Sequence, residues 1–433
     1  MIIKSYFLPH PPLIIEGIGK KEEILKTKKS YQLVAKEINR LKPDCVVIFT
    51  PHFPINDENF NIVYDEYIIG NMLQFKSERK VKVKNDLELV DQIYNGVINS
   101  GVKIKKLTNI SIDHASFIPL HFVKCKSAIV ISNAFAPAAQ HYKFGEVLNN
   151  LFTAINKKIV VIASGDTSHK LKKNGTYGLS QEGVKFDQIL IDAIKNNNHS
   201  ELINLNNDFI NNAGQCGLFS LITMFGVISS FLIKSKIYSY EYPYGVGYLA
   251  ASFSLEEPTK NKILVKQIIK LAKDSVENYL KHSKNISPSK ELSSYLLNNR
   301  FGSFVCLKKN KELRGCVGTI LPTKENLATE IIANAISAAI NDNRFNPVII
   351  SELDKIKYSV DVLTKPQVIT NLNQLNPKKY GIIVQSGSKS GILLPSLEGI
   401  NTIEQQINIA CQKANILQTE KIIVYKFMTN RYE

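Results

Sequence analysis

Cys45-Val46-Val47-Ile48-Phe49-Thr50-Pro51-His52 is the stretch on which the fold reading turns. Its compact apolar run makes a short strand buried on both faces, and a proline and a histidine follow where the run ends. The pattern recurs elsewhere in the first half. Ile2–Leu8 reads as a strand that runs into Pro9-His10-Pro11-Pro12. Strands are also expected near Val102–Leu107 and Ala128–Ser132, and at Ile159–Ala163, just before Gly165-Asp166. Glu22–Leu41, Leu87–Asn99 and Phe144–Ile155 read as the helices between them. Continuous apolar strands alternating with helices predict an α/β sheet covered on both faces. Such sheets bind ligands beyond the carboxyl ends of their strands. His10, His52 and Asp166 each stand just past such an end.

The chain has 433 residues, 44% of them hydrophobic and 21% charged, enough for two or three domains with well-buried cores. This composition excludes disorder, collagen-like repeats and a coiled-coil rod. No apolar run approaches the roughly 20 residues of a membrane span. The longest, Leu218–Ile233, is interrupted by Thr223, Gly226 and Ser229-Ser230. The start, MIIKSYFLPHPP, has no secretion-signal pattern. The net charge of +16 is spread over both halves, with 29 basic against 22 acidic residues up to Leu255 and 25 against 16 beyond it. This excess reads as a solvated, lysine-rich surface, and no nucleic-acid or membrane partner is expected. Six scattered cysteines without a CxxC pair exclude zinc-finger and thioredoxin motifs and suggest a reducing cytoplasm.

Seven of the eight histidines precede residue 200 and the eighth is His282, so histidine chemistry belongs to the first half. The pattern breaks at Glu256-Glu257-Pro258-Thr259-Lys260, which places a linker there and predicts domains 1–255 and 260–433. Four segments carry the chemistry of the first domain. They are Leu8-Pro9-His10-Pro11-Pro12, Thr50-Pro51-His52-Phe53-Pro54, Gly165-Asp166-Thr167-Ser168-His169 and Ala213-Gly214-Gln215-Cys216-Gly217-Leu218. Two histidines held by flanking prolines suit a divalent transition metal. A third donor is needed, and Cys216 or Gln215 can supply it. Cys216 begins a predicted helix, whose N-terminus would favour the thiolate. Asp166 and His169 suit an outer carboxylate and a general base.

This order of motifs resembles the superfamily of class III extradiol ring-cleaving dioxygenases and Memo proteins. The likeness spans roughly residues 1–255 and includes Pro243-Tyr244-Gly245-Val246-Gly247-Tyr248. By resemblance, His10 and His52 match the ligand histidines and His169 the catalytic one. The dioxygenases use a glutamate where this sequence has Cys216, and the cysteine agrees with Memo. Ser111-Ile112-Asp113-His114-Ala115 is similar to a pocket loop of the dioxygenase-like branch, which gives His114 a catalytic and Asp113 a substrate-binding role. Iron(II) is the expected cofactor, with copper or zinc as alternatives. A thiolate in place of a carboxylate argues against ordinary catechol cleavage, because it is softer and easily oxidised.

The second half predicts a helix at Ile263–His282 and a hairpin of Gly302–Leu307 and Leu313–Ile320 about Lys309-Asn310-Lys311. A helix at Asn326–Asn341, strands near Tyr358–Leu363 and Gly381–Val384, a helix at Ile403–Ala414 and a strand at Ile422–Phe427 follow. Glu312-Leu313-Arg314-Gly315-Cys316-Val317-Gly318 resembles the hallmark of the AMMECR-one domain, a mixed α+β fold. Asp342-Asn343-Arg344-Phe345-Asn346-Pro347 and Gly391-Ile392-Leu393-Leu394-Pro395 support that likeness. Arg314, Cys316 and Arg344 then line the domain's candidate site, with Arg314 and Arg344 toward substrate and Cys316 as a nucleophile activated by Arg314.

The combination resembles the AmmeMemoRadiSam system, which implies a separate radical S-adenosylmethionine enzyme as partner. This chain lacks the Cys-x3-Cys-x2-Cys motif of that enzyme. The leading expectation is therefore a metal enzyme doing redox or carbon–carbon bond chemistry on a small oxygenated molecule. A catechol-type extradiol dioxygenase and a non-catalytic metal-binding adaptor are the alternatives, and a homo-oligomer is among the expected states.

Overall fold

The computed structural model describes residues 1–19, 23–54, 58–369, 371–397, 399–417 and 419–433. Glu22, the expected start of the first helix, lies outside them. The chain forms two compact units, Met1–Leu255 and Glu256–Glu433.

In the first unit the strands are β1 (Ile2–Leu8), β2 (Cys45–Thr50), β3 (Phe60–Val63), β4 (Tyr67–Met72), β5 (Ser77–Lys84), β6 (Ile104–Leu107), β7 (Ser111–Ile112), β8 (Ser127–Ser132), β9 (Ile159–Ser164), β10 (Leu232–Glu241) and β11 (Tyr248–Glu256). The helices are α1 (Leu25–Leu41), α2 (Leu87–Ile98), α3 (His114–Phe122), α4 (Ala138–Ala154), α5 (Gln181–Asn196), α6 (His199–Ile203), α7 (Asn207–Ala213) and α8 (Leu218–Val227). Eight strands form one sheet in the order β10-β11-β1-β9-β2-β8-β3-β6, and β5-β4-β7 form a small second one.

Strand β2 shows why both faces are covered. All six of its residues are buried. Cys45, Val47 and Phe49 point to one face, where they meet apolar residues of α2, α4, α5 and α8. Val46 and Ile48 point to the other, toward Tyr31, Val34 and Ile38 of α1 and Phe117 of α3. This alternation follows from the two-residue period of a strand. At about 1.5–3 kcal/mol per fully buried Val, Ile or Phe side chain, the sheet centre is the main source of stability.

The central strands β1, β9, β2 and β8 run parallel, so their carboxyl ends lie along one edge. Leu8 of β1 is in register with Ser164 of β9, and Thr50 of β2 with Ser132 of β8. His10, His52 and Asp166 follow directly on β1, β2 and β9. One expectation changes here. The Ser111–Ala115 loop is instead β7 followed by the start of α3, because Asp113 caps that helix by accepting the Ser116 N–H at 2.7 Å. The apolar run from Leu218 leaves helix at Val227 and enters β10 at Leu232.

The second unit holds two four-stranded sheets. The first has the order β13 (Glu312–Thr319), β12 (Gly302–Lys309), β14 (Ile356–Leu363), β19 (Thr429–Tyr432). The other has β15 (Gln367–Val368), β18 (Ile423–Phe427), β16 (Gly381–Ser386), β17 (Lys389–Leu393). The helices are α9 (Lys262–His282), α10 (Ser294–Asn298), α11 (Leu327–Ile340) and α12 (Ile403–Lys413). Helix α11 packs on α9 and on β12, and α12 packs on β17. The β12–β13 hairpin turns on Asn310 and Lys311, both left-handed at φ 53° and 71°, as a two-residue hairpin loop requires. Helix α11 begins with a capping box between Asn326 and Thr329. No helix among the described residues is long and apolar enough to cross a membrane.

Candidate metal centre

Beyond the sheet edge, two groups of metal-capable side chains share His10. One is His10, His52 and His114, and the other is His10, Asp166 and Cys216, with the donor atoms inside each group within 4.8 Å of one another. The Nε2 atoms of His10 and His52 are 3.1 Å apart, and Cys216 Sγ lies 3.6 Å from His10 Nε2. His114 stacks on His52, with ring centroids 5.0 Å apart. The structure thus gathers His52, His114, Asp166 and Cys216 around His10, with His52 and Cys216 each close to His10 but in different groups.

Each separation from His10 suits a pair of ligands on one ion. Metal–nitrogen bonds of about 2.05 Å meeting near 100° span about 3.1 Å, and a tetrahedral nitrogen–sulfur pair with a sulfur bond of about 2.3 Å spans about 3.6 Å. The protonation states agree. Burial first, then the neighbouring histidines, hold His10 well below the usual imidazole range. Burial lowers His52, and burial followed by His52 lowers His114 to about 4. Neutral imidazole is the form that binds metal, so these groups need no deprotonation at neutral pH.

Several backbone devices build the site. Tyr31 donates its hydroxyl to the Pro9 carbonyl at 2.5 Å and fixes the turn before His10. The His10 N–H donates to Asp166 Oδ1 at 2.9 Å. The Asp166 N–H reaches Cys216 Sγ at 3.2 Å, and the Gly217 N–H donates to the Asp166 carbonyl at 2.9 Å. This contact needs two glycines, because a Cβ built on Gly165 would fall 2.1 Å from the Gly217 Cα. Gly165→Ala is therefore expected to cost about 1–3 kcal/mol through overpacking, and to push Cys216 away from His10. A urea melt together with a metal titration checks both, and a wild-type result in each would contradict the role given to this glycine pair.

Some sequence expectations are corrected. Gln215 is not a free donor, since its Oε1 accepts the Leu218 N–H at 2.7 Å at the start of α8. The helix start does not lower the Cys216 thiol. Burial, followed by the Asp166 charge, pushes it well above the ordinary range, so a bound cation would have to draw off its proton. Asp113 has both oxygens engaged, one by Ser116 N–H and the other by the Thr50 hydroxyl at 2.6 Å, so its work is to position the His52 and His114 segments. Asp166 serves His10, and burial raises its carboxyl to about 7 against the lowering effect of the His10 N–H.

His169 is placed by its N–H donating to the Gly214 carbonyl at 2.7 Å. Its Nε2 is buried without a hydrogen-bond partner. Burial first, then His52, lowers its pKa to about 4. Sequence reasoning missed Asp187 of α5, which accepts from Thr167 Oγ1 at 2.6 Å, the Ser168 N–H at 2.7 Å and the Tyr240 hydroxyl at 2.6 Å. The available signal was an aspartate on the buried face of an amphipathic helix, beside Phe186 and Leu190.

Residues 4–251 match the family described as the catalytic LigB subunit of aromatic ring-opening dioxygenase, and residues 269–433 match AMMECR1. The chain belongs to the LigB family and carries an AMMECR1 domain after it. Protein CA_C1420 of Clostridium acetobutylicum is 36% identical over 464 residues, covering 99% of this chain and 98% of that protein. A Thermotoga maritima protein is 45% identical over 167 residues, 38% of this chain and 96% of its own length. Among solved structures, protein PH0010 of Pyrococcus horikoshii aligns at TM-score 0.37 and 30% identity over 40% of this chain and 92% of its own. Protein JW3007 of Escherichia coli aligns at TM-score 0.44 and 14% identity over 58% and 99%.

In the AMMECR1 domain the residues expected to act on substrate are otherwise engaged. Cys316 is paired with Cys306, its direct neighbour across the β12–β13 ladder, in a disulfide that leaves no thiol for nucleophilic attack. Arg314 donates through Nε and Nη2 to Glu352 at 3.1 and 2.9 Å and through Nη1 to the Asn346 carbonyl at 2.8 Å, which makes it a clamp on that loop. Arg344 grips Asp342 through Nε and Nη2, holds that carboxyl well below its usual range, and keeps a half-exposed side chain. Titration of the denatured, unreduced chain is expected to find the four thiols of Cys45, Cys125, Cys216 and Cys411, and six after reduction. Six in both cases would show Cys306 and Cys316 to be thiols.

Proposed function

We propose that the LigB-family unit is a non-haem metal enzyme acting on a small oxygenated molecule by redox or carbon–carbon bond chemistry. The observation that carries this reading is the gathering of metal-capable donors around His10 Nε2, with His52 Nε2 at 3.1 Å and Cys216 Sγ at 3.6 Å. His10, His52 and Cys216 would hold the ion, and iron(II) is proposed on the resemblance to the non-haem iron dioxygenases, with copper and zinc also compatible with imidazole and sulfur donors. The bound ion supplies electron transfer and Lewis-acid polarisation of a substrate oxygen.

The chain's own residues do the rest. His169 is neutral at physiological pH and has a buried, unpartnered Nε2, the state needed to take a substrate proton. Asp166 holds the His10 backbone and presents its second oxygen 3.8 Å from His10 Nε2. His114, stacked on His52, forms one wall of the site and stands ready to share in proton transfer. We propose a separate radical S-adenosylmethionine enzyme as the partner, on the resemblance of the two-domain chain to the AmmeMemoRadiSam system. A cytoplasmic location is proposed on the same resemblance, since the Cys306–Cys316 disulfide removes the cysteine argument for a reducing compartment.

A second reading has an observation of its own. Asp166 can supply a carboxylate beside His10, so a two-histidine, one-carboxylate set suited to catechol ring cleavage is within reach. Metal analysis of anaerobically purified protein, followed by a catechol panel in air, tests both. About one iron per chain with a sulfur-to-metal charge-transfer band and no ring cleavage supports the first reading. Oxygen-dependent cleavage that survives Cys216→Ser but not Asp166→Asn supports the second. Metal uptake without turnover of any substrate, with partner binding unchanged in His169→Ala, would favour the metal-binding adaptor.

A further inference from the structure

Ser164, the last residue of β9, is fully buried beside His10. Its Oγ is 3.0 Å from His10 Nδ1 and 2.7 Å from the carbonyl oxygen of Ala115 in α3. A hydroxyl has one proton, and a carbonyl can only accept. The Ser164 proton is therefore spent on Ala115, and the atom facing His10 Nδ1 is a lone pair. Nδ1 must then carry the imidazole proton, which leaves Nε2 with a free lone pair toward His52 and Cys216.

The Ala115 carbonyl is available for a reason written in the sequence. In an α-helix it would accept the N–H of the residue four positions on. That residue is Pro119, which has no N–H and crowds the carbonyl of residue i−4. A proline inside a short helix, costly on its own, thus releases one acceptor at the place where Ser164 needs it.

We propose that Ser164, anchored on the carbonyl that Pro119 leaves free, is a positioning residue that locks His10 in its Nδ1–H tautomer and aims Nε2 at the metal position. The inference rests on the metal-enzyme reading for its purpose, but the tautomer itself is set by the protein alone. Replacing Ser164 removes the acceptor for Nδ1–H. Replacing Pro119 restores an N–H that shares the Ala115 carbonyl with Ser164, which weakens the hold on the serine proton and lets the other tautomer compete.

The test uses the full chain labelled with 15N-histidine and freed of metal, followed by titration with cobalt(II). In the wild type, His10 is expected as the Nδ1–H tautomer. In Ser164→Ala and in Pro119→Ala the Nε2–H form should appear, and cobalt affinity should fall about ten- to a hundredfold, the usual effect of losing a partner that orients a ligand histidine. Ser164→Thr, which keeps the hydroxyl, should restore both. Pro119→Ala separates this role from plain stability, since removing a helix-interior proline should leave the melting temperature unchanged or higher. An Nε2–H tautomer in the wild type, or unchanged tautomer and affinity in both variants, would overturn the inference. A wild type that shows the Nδ1–H form and its loss in Ser164→Ala, yet binds no cobalt, would uphold the tautomer lock and refute the metal reading.

Discussion

His10→Ala is expected to lower the affinity for cobalt(II) or iron(II) by at least a hundredfold, whereas His169→Ala leaves it within a few-fold and abolishes turnover. The size follows from the donor count. A four-donor zinc site releases about 10–16 kcal/mol, so one donor is worth about 3 kcal/mol, or more than a hundredfold. His10 is the extreme case because it belongs to both donor groups, and its loss separates His52 and His114 from Asp166 and Cys216. His169 belongs to neither group, so its removal affects proton transfer and not the ion. Equilibrium titration against a competing chelator measures the first effect. Parallel loss of metal from both variants would make His169 a ligand, and retention by both would move the site elsewhere.

The sequence shows some parts of this arrangement and hides others for physical reasons. Strands β2, β8 and β9 are legible because a strand buried on both faces must be apolar throughout, and His10 and His52 stand out because prolines sit beside them where β1 and β2 end. Cys216 is legible as a residue before a long apolar helix, but its protonation is not. A helix start and burial act in opposite directions, and only the packing shows that burial dominates. The substrate-binding role of Asp113 came only from resemblance to a pocket segment, and the structure makes it a helix cap. The Cys306–Cys316 pair is ten residues apart in sequence and meets only because a bulge at Arg314 shifts the register set by the two-residue turn, which alone would place Cys306 opposite Gly315. Ser164 and Asp187 were missed for a related reason. Each acts on a residue distant in the chain, and nothing local marks a buried serine or aspartate as a support.

That support is measurable at Asp187. Asp187→Ala is expected to cost about 2–4 kcal/mol, because an orphaned buried donor costs about 1–3 kcal/mol and three donors lose their acceptor. The Thr167 and Ser168 contacts hold the segment between Asp166 and His169, so the same change should displace His169 and reduce turnover far more than Tyr240→Phe, which removes only one of the three bonds. The carboxyl also carries a pH signature. Burial raises it to about 6, with the Thr167, Tyr240 and Ser168 donors pulling the other way. A carboxyl raised in the folded state binds its proton more tightly there than in the unfolded chain, where it titrates near 3.9. Its contribution to stability is therefore complete below about pH 4 and is lost as the pH rises through about 6. Urea unfolding of the wild type and Asp187→Asn across that interval isolates this residue from the other buried acids. The wild type should lose ground to the asparagine variant between about pH 4 and pH 6 and run parallel to it above. A difference that stays flat, or grows in the wild type's favour as the pH rises, would mean that the three donors outweigh burial and keep Asp187 ionised at little cost.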